Sequence, residues 1–401
     1  GGTHNYELEF PEEHMPGTLW IHPHHHGSSG LHTGGGAACA VILKDPPGTL
    51  SSALENMSDI IWVVQDFNGN DLESIAGIMG DTVFTTSSAS RTWLVNGLTE
   101  PVISMETGVW QRWRLIHAGW GGDSLSVSMQ SCEMVLLAKD GIYISDFPRV
   151  ISSTIIPAGG RADIVVRCGN AGTFDVQGPG GVLARASVVE GGPTDSALSS
   201  WAPTFPTYLE DLREETVDSA CNCATQVSGK GINGYTFDPD REIHGSKLGS
   251  VMQREVSSGR HPYHQHVFPF QVTSVAETEY VKIGDWHDVL TGAFTMRFAP
   301  QKFTGKMMMH CHILEHEDQG AMGLEKIGES TGTCFCGDES VVNVEYIIVG
   351  SVLGGLFCCY LFVGSVFAVN LDRRRNRVDS FATKPLPDKV GQGAEEESCT
   401  S

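Results

Sequence analysis

The sequence predicts an all-β protein of packed sandwiches, followed by one C-terminal transmembrane helix. Three observations carry that prediction. Between residues 59 and 189 short runs of β-formers alternate with turns, and no segment sustains the 3.6-residue period of an amphipathic helix. A second β-rich block over 233–327 carries histidines spaced i, i+2, the period that places side chains on one face of a strand. Residues 346–369 (YIIVGSVLGGLFCCYLFVGSVFAV) form a run of 24 without a charge. As a helix that run covers roughly 36 Å, enough to cross a bilayer with some tilt.

Taken in order, residues 1–45 open on polar turns and reach GTLWIHPHHHG, where Trp20, His22, His24 and His26 alternate as strand partners do. Residues 40–43 read as the end of a buried strand. The Pro-Pro-Gly turn at 46–48 marks a junction, and 46–192 then form a sandwich with strands at 60–64, 92–95, 110–116, 134–138, 151–156 and 162–166. Residues 193–229 are rich in Pro, Ser and Glu and read as a linker with one short helix near 208–215. A second complete sandwich follows at 230–328, then a Gly/Thr/Cys stalk at 329–345 and the apolar span.

Arg373, Arg374, Arg375 and Arg377 flank the span and place the polar, disordered tail, 370–401, in the cytoplasm. The expectation is a single-pass membrane protein with everything before the span extracellular or lumenal. Eleven cysteines suit an oxidising compartment, and Asn56-Met57-Ser58 is a glycosylation sequon on the outer side. A sequence that starts at Gly1 lacks the signal peptide this topology needs, so a truncated N-terminus is expected. The formal charge of −22, from 48 acidic against 26 basic residues, argues against a nucleic-acid partner.

The chemistry concentrates in KMMMHCHILEHEDQGAM, residues 306–322. Strand alternation points His310 and His312 one way and Cys311 the other. His316 follows Cys311 by five residues, close enough to share one ion across a turn. HPYHQHVFPF at 261–270 supplies a third ligand for that ion in His261, and a second facing pair in His264 and His266. His22 and His24 make a third pair. A thiolate with imidazoles is the ligand set of a blue copper site, with zinc as the plainer competitor. A lone HxH is more often a surface pair than a ligand pair; three such pairs, one enclosing a Cys, outweigh that reading. His25 and His26 flank the ligands, His26 as a residue that supports them from behind. His4, His14, His32, His117, His244 and His287 read as ordinary packed or surface residues, and Met307 to Met309 as packing residues.

GTLWIHPHHHG, HPYHQHVFPFQV and HCHILEHEDQGAM together resemble the motifs of the multicopper oxidases, the family of laccases, ferroxidases and copper-efflux oxidases. VNG at 95–97, RWRLIHAG at 112–119, PAGGRADIVV at 157–166 and GDWHD at 284–288 support the likeness, which spans about 15–327. It implies three cupredoxin-like β-sandwich domains, with most of the first missing here. It implies copper of three types: a type 1 ion on His261, Cys311 and His316, and a type 2 ion on His264. One type 3 ion falls to His22 and His312, the other to His24, His266 and His310. The expected reaction is one-electron oxidation of Fe(II), phenols or Cu(I) at type 1 copper, coupled to reduction of O2 to water at the trinuclear cluster. Glu317 matches an acidic residue that supplies protons there, or else orients a ligand. A ferroxidase reading adds a metal permease as partner.

Two departures bear on this. The family's opening HxHG motif, which gives the cluster two more ligands, is expected upstream of Gly1, so six of eight cluster ligands are in this sequence. The axial position of the type 1 site falls on Ala321, with Met322 one place late; a thioether-free site is a stronger oxidant. The rival readings are a copper nitrite reductase, which His312 argues against, and a non-enzymatic copper-binding or electron-transfer protein with an incomplete cluster.

Overall fold

In the computed structural model, the structure describes residues 5–67, 91–191, 195–218 and 224–329. The apolar span at 346–369 and its arginine flank lie outside the described residues. Among the described residues no helix is long and apolar enough to cross a membrane.

Two sandwiches dominate. In the first, a seven-stranded sheet runs in the order Arg149–Ile151, Cys132–Lys139, Arg161–Cys168, Gln111–His117, Ser58–Phe67 and Thr92–Val95, with Ile142–Tyr143 paired to the second of these. It faces a five-stranded sheet ordered Ser153–Ile156, Leu125–Ser128, Gly172–Gly178, Gly181–Val189 and Val102–Glu106. Gln111–His117 is buried along its whole length because both faces are covered. Trp113 and Leu115 enter the core, and Trp113 lies 4.7 Å from Trp62. Arg112 and Arg114 point to the opposite face, where Asp163 and Thr18 receive them. Cys132 and Cys168, cross-strand neighbours, are joined by a disulfide.

The second sandwich packs a six-stranded sheet against a five-stranded one ordered Glu242–Lys247, Met322–Gly328, Gly305–Cys311, Tyr263–Gln265 and Val289–Leu290. Its core includes Tyr263, Phe270, Met296, Phe298, Met309 and Cys311. Met307 and Met309 are core residues, as the packing reading of that run requires. Thr225–Ser228, within the stretch read as linker, pairs in parallel with Met252–Ser257 of this sandwich.

Ahead of both lies a two-stranded unit, Gly17–Ile21 paired antiparallel with Cys39–Leu43, with helix Ser29–Gly34 between them. It lies against the first sandwich so closely that a Cβ on Gly17 would fall 2.1 Å from the Gly141 carbonyl oxygen.

Three local expectations are corrected. The helix near 208–215 is a single 3-10 turn, Thr207–Leu209; beyond it the chain is drawn out as Leu209 and Leu212 bury against the first sandwich and Leu212 N–H donates to Gln271. The strand over 151–156 is two strands in different sheets, Arg149–Ile151 and Ser153–Ile156. The break falls at Ser152, where the Glu279 carboxylate takes the backbone N–H groups of Ser152 and Ser153 out of any ladder. Finally, His22 and His24 do not lie on a strand. The strand stops at Ile21, and Pro23, without an N–H to donate, starts the loop that carries both histidines.

Candidate metal centre

Cys311 closes strand Gly305–Cys311, opposite Tyr263 in the neighbouring strand, with its side chain in the core. His261 arrives two residues before Tyr263 through a turn closed by its own N–H to the Ser258 carbonyl. His316 sits on helix Leu314–Asp318, which begins three residues after Cys311. The Nδ1 atoms of His261 and His316 are 3.1 Å apart, and Cys311 Sγ lies 3.6 and 3.7 Å from them. Three atoms at those separations lie on a circle of radius about 2.0 Å, the length of a metal–imidazole bond. The donor set is therefore already arranged for one soft ion. Burial pushes the Cys311 thiol up to about 12, so metal entry must displace a proton. Burial, then His261 and Arg260, lower His316 to about 4, which leaves its nitrogen free to ligate at neutral pH.

Register sets which residue shares the face of Cys311. His310 pairs with Met322, and Cys311 N–H donates to the Ala321 carbonyl. Met322 thus shares a face with His310, while Ala321 shares the core face with Cys311 and is fully buried there.

On the other face of the same strand, six imidazoles meet. His310 is the cross-strand partner of His264. His310 Nε2 lies 3.1 Å from His266 Nε2 and 3.3 Å from His24 Nε2. Those three rings form one compact donor group. His312 lies 5.2 Å from His22 and 5.4 Å from His264, ring centre to ring centre. Cys311 thus stands between two members of the cluster, bonded to both through the backbone.

Outer contacts fix the rings. His264 Nδ1 is 2.8 Å from the Asp288 carbonyl oxygen and His310 Nδ1 is 3.1 Å from that of Cys311, so each N–H donates outward and Nε2 turns inward. His312 Nδ1 is buried without a hydrogen-bond partner, the kind of orphaned atom a metal satisfies. Burial, with the neighbouring imidazoles, holds His264, His310 and His312 well below the usual histidine range, and His22 and His266 at about 4. Six neutral, crowded imidazoles with little else to bind are the chemistry of a multinuclear site for an imidazole-loving metal.

The loop carrying His22 and His24 is held from both sides. Trp20 stacks on His22 at 4.3 Å and donates to the Gly159 carbonyl. Gly159, at φ +83°, passes so close to His312 that a Cβ there would fall 2.4 Å from the ring. From the other side, Asp318 accepts the backbone N–H groups of Gly27, Ser29 and Gly30 at 2.8, 3.0 and 2.8 Å. This ties the HPHHHG loop to the helix that carries His316. Next to Asp318, Glu317 is buried, its Oε1 3.7 Å from His24 Nδ1. Burial and then the Asp318 carboxylate push Glu317 up to about 7, with the Ser29 hydroxyl pulling the other way. A cavity of about 610 Å³ opens against His22, His24, His264, His266 and His312, with Phe10, Ile21 and Phe303 on its outer wall.

All nine expected ligand residues and Glu317 thus fall in two adjoining groups. Arg161, Gly159, Asp288 and Asp318 were not singled out by sequence; only their position inside the motifs PAGGRADIVV, GDWHD and HCHILEHEDQGAM pointed towards them.

Residues 210–328 match the family model described as "Multicopper oxidase". Among curated proteins, the chain is 25% identical over 340 residues to a multicopper oxidase of Staphylococcus aureus, covering 80% of this chain and 70% of that one. A multicopper oxidase of Staphylococcus epidermidis is 25% identical over 346 residues, with the same coverage. Among solved structures, a multicopper oxidase from Campylobacter jejuni, titled a metallo-oxidase, aligns with TM-score 0.59 at 20% identity over 80% of this chain and 74% of that chain. The laccase-like CueO of an Ochrobactrum species, titled as active towards lignin model compounds, aligns with TM-score 0.57 at 21% identity over 78% and 77%. McoA of Aquifex aeolicus aligns with TM-score 0.63 at 20% identity over 78% and 76%. The fold is all-β and cupredoxin-like, with few helices. Fold, donor sets and relatives agree on the class, a copper-dependent oxidoreductase. The proteins this chain resembles are multicopper oxidases, one of them titled laccase-like.

Proposed function

We propose that the chain couples one-electron oxidation of a reductant beside His316 to four-electron reduction of O2 to water among the six histidines. His261, Cys311 and His316 would hold type 1 copper, and His22, His24, His264, His266, His310 and His312 their share of a type 2 and type 3 cluster. Bound copper supplies the one-electron redox steps and the site for O2. The observation that carries the reading is that Cys311 is flanked in sequence by His310 and His312, with the triad on one side of that segment and the cluster on the other. Its backbone is a short covalent path from the point of oxidation to the point of reduction. Glu317, buried beside His24 and pushed towards neutrality, fits a proton donor at the cluster.

Metallo-oxidases and laccase-like enzymes share this fold, so the fold does not choose the reductant. The edge of His316 does offer a preference. Gly229 lies against that edge without a side chain to fill it; a Cβ there would come within 3.3 Å of Nε2. The positive charge of exposed Arg260 acts on both His316 and Cys311. A cation beside the entry favours a phenol over Fe(II) or Cu(I). Metal-ion oxidation beside a permease, and a membrane anchor at 346–369, complete the alternatives within the proposal.

Two further imidazoles are called for to complete the family's eight. Oxygen uptake by the copper-loaded protein with its cluster completed to eight imidazoles, with a phenol, Fe(II) and Cu(I) offered separately, tests the reading. Uptake with phenol, reversed in preference by Arg260→Glu, supports it. A blue protein that takes up no oxygen with any of them is instead a copper-binding or electron-transfer protein.

A further inference from the structure

The three histidine pairs of the cluster come from three different segments, and one buried guanidinium contacts the support of each. Arg161 opens strand Arg161–Cys168 and is almost fully buried. All five of its side-chain N–H donors have acceptors. Nε donates to the Thr18 carbonyl at 3.3 Å. One terminal nitrogen donates to the Gly159 carbonyl at 3.1 Å and Asp288 Oδ1 at 2.7 Å. The other donates to the Asp140 carbonyl at 2.8 Å and Asp288 Oδ2 at 2.6 Å.

Each contact leads to a ligand. Thr18 lies on the strand that runs into His22, whose ring Trp20 covers. Gly159 receives Trp20 and abuts His312. Asp288 holds His264 through its backbone carbonyl. The carboxylate of Asp288, gripped by a planar fork, fixes the orientation of the same residue whose carbonyl sets the His264 tautomer.

We propose that Arg161 is a positioning residue for the cluster, acting through Asp288 on His264 and through Gly159 and Thr18 on His312 and His22. This rests on the oxidase reading above. A lysine retains the charge but offers three donors on one point, without the fork, so it satisfies fewer of the five acceptors. None of these five hydrogen bonds of Arg161 goes to His261, Cys311 or His316, so the triad is predicted to be indifferent to the change.

The test uses the full chain loaded with copper, as parent, Arg161→Lys and Asp288→Asn. Copper per chain, the blue absorbance of the Cys311 site, the electron paramagnetic resonance of type 2 copper and the thermal melt are measured together. Asp288→Asn keeps side-chain volume and the backbone carbonyl, so it reads the fork even where Arg161→Lys does not fold. The expected result is blue absorbance and melting close to the parent, with a changed type 2 spectrum. Copper affinity at the histidine cluster should fall by about 10-fold or more. Variants that melt lower but keep the parental type 2 spectrum and copper count show a structural role only and overturn the inference. A parent with a blue site and no copper at the six histidines overturns the oxidase reading itself, a result distinct from the first.

Discussion

The Cys311 triad and the six-histidine cluster lie back to back on one strand, yet they are built in different ways. The triad is internal to the second sandwich. Cys311 and His261 come from the ends of adjacent strand segments, and His316 from a helix that starts three residues on. Its donor atoms stand 3.1–3.7 Å apart because short chain connections hold them there. The cluster draws its pairs from residues 22–24, 264–266 and 310–312, two in the second sandwich and one in the N-terminal unit. No local connection sets the third pair. Contacts at long sequence separation do: Asp318 to the 27–30 backbone, Gly159 against His312, and Arg161 to Thr18 and Asp288. One site is a property of a domain, the other of an assembly, and the two should respond differently to the same perturbation.

The largest effect expected is from Cys311→Ser. It removes the only soft donor and breaks the triad, so blue absorbance disappears. Turnover falls by more than the roughly 10- to 100-fold typical of outer-contact losses. Copper bound at the six histidines should remain, as counted by metal analysis. Asp318→Ala reverses the pattern. It removes three charge-assisted bonds to the 27–30 backbone and should cost about 2–4 kcal/mol in urea unfolding. Copper is lost from the cluster while blue absorbance persists.

Acidity separates the regions more gently. In the metal-free chain the folded-state pKa values of His22, His266 and His316 are about 4, below the ordinary 6.5. The unfolded chain therefore binds more protons between those values. The stability these groups contribute is present above about pH 6.5 and is lost as pH falls towards 4. Glu317, raised from 4.5 to about 7, works in the opposite sense: its contribution is present below 4.5 and lost as pH rises through 7. With the histidines in the majority, the metal-free melting temperature should fall on acidification from pH 7 to 5. Copper-loaded protein should resist that fall, since ligation keeps the imidazoles unprotonated.

Smallest of all should be Ala321→Met. It offers a thioether on the core face of Cys311 and lowers the reduction potential of the blue site, read by redox titration. Overpacking should cost about 1–3 kcal/mol, and the cluster's copper count should not change.

The contrast also explains what could be read from the chain. HxHxxxH spacing and the two-residue period of a strand are local, so the placement of His310 and His312 on one face and of Cys311 near His316 on the other could be read without a structure. Whether Ala321 or Met322 faces Cys311 was open, because one residue of register decides it, and register is set by pairing with Gly305–Cys311. The helix expected near 208–215 failed for a related reason. Leu209 and Leu212 are held by the first sandwich and Gln271, contacts that no local pattern encodes. Arg161 illustrates the limit most clearly. Its sequence neighbourhood reads as an ordinary strand start, and its acceptors lie up to 143 residues away.

The most direct test of the account is a single turnover. Copper-loaded protein with its cluster completed to eight imidazoles is fully reduced under argon, O2 is admitted, and the blue absorbance of the Cys311 site and any peroxide are followed together. The account predicts that the blue colour returns promptly, with O2 consumed and no peroxide released, because electrons leave Cys311 through His310 and His312 to the cluster. A protein that stays bleached, or regains colour only as peroxide accumulates, would contradict it.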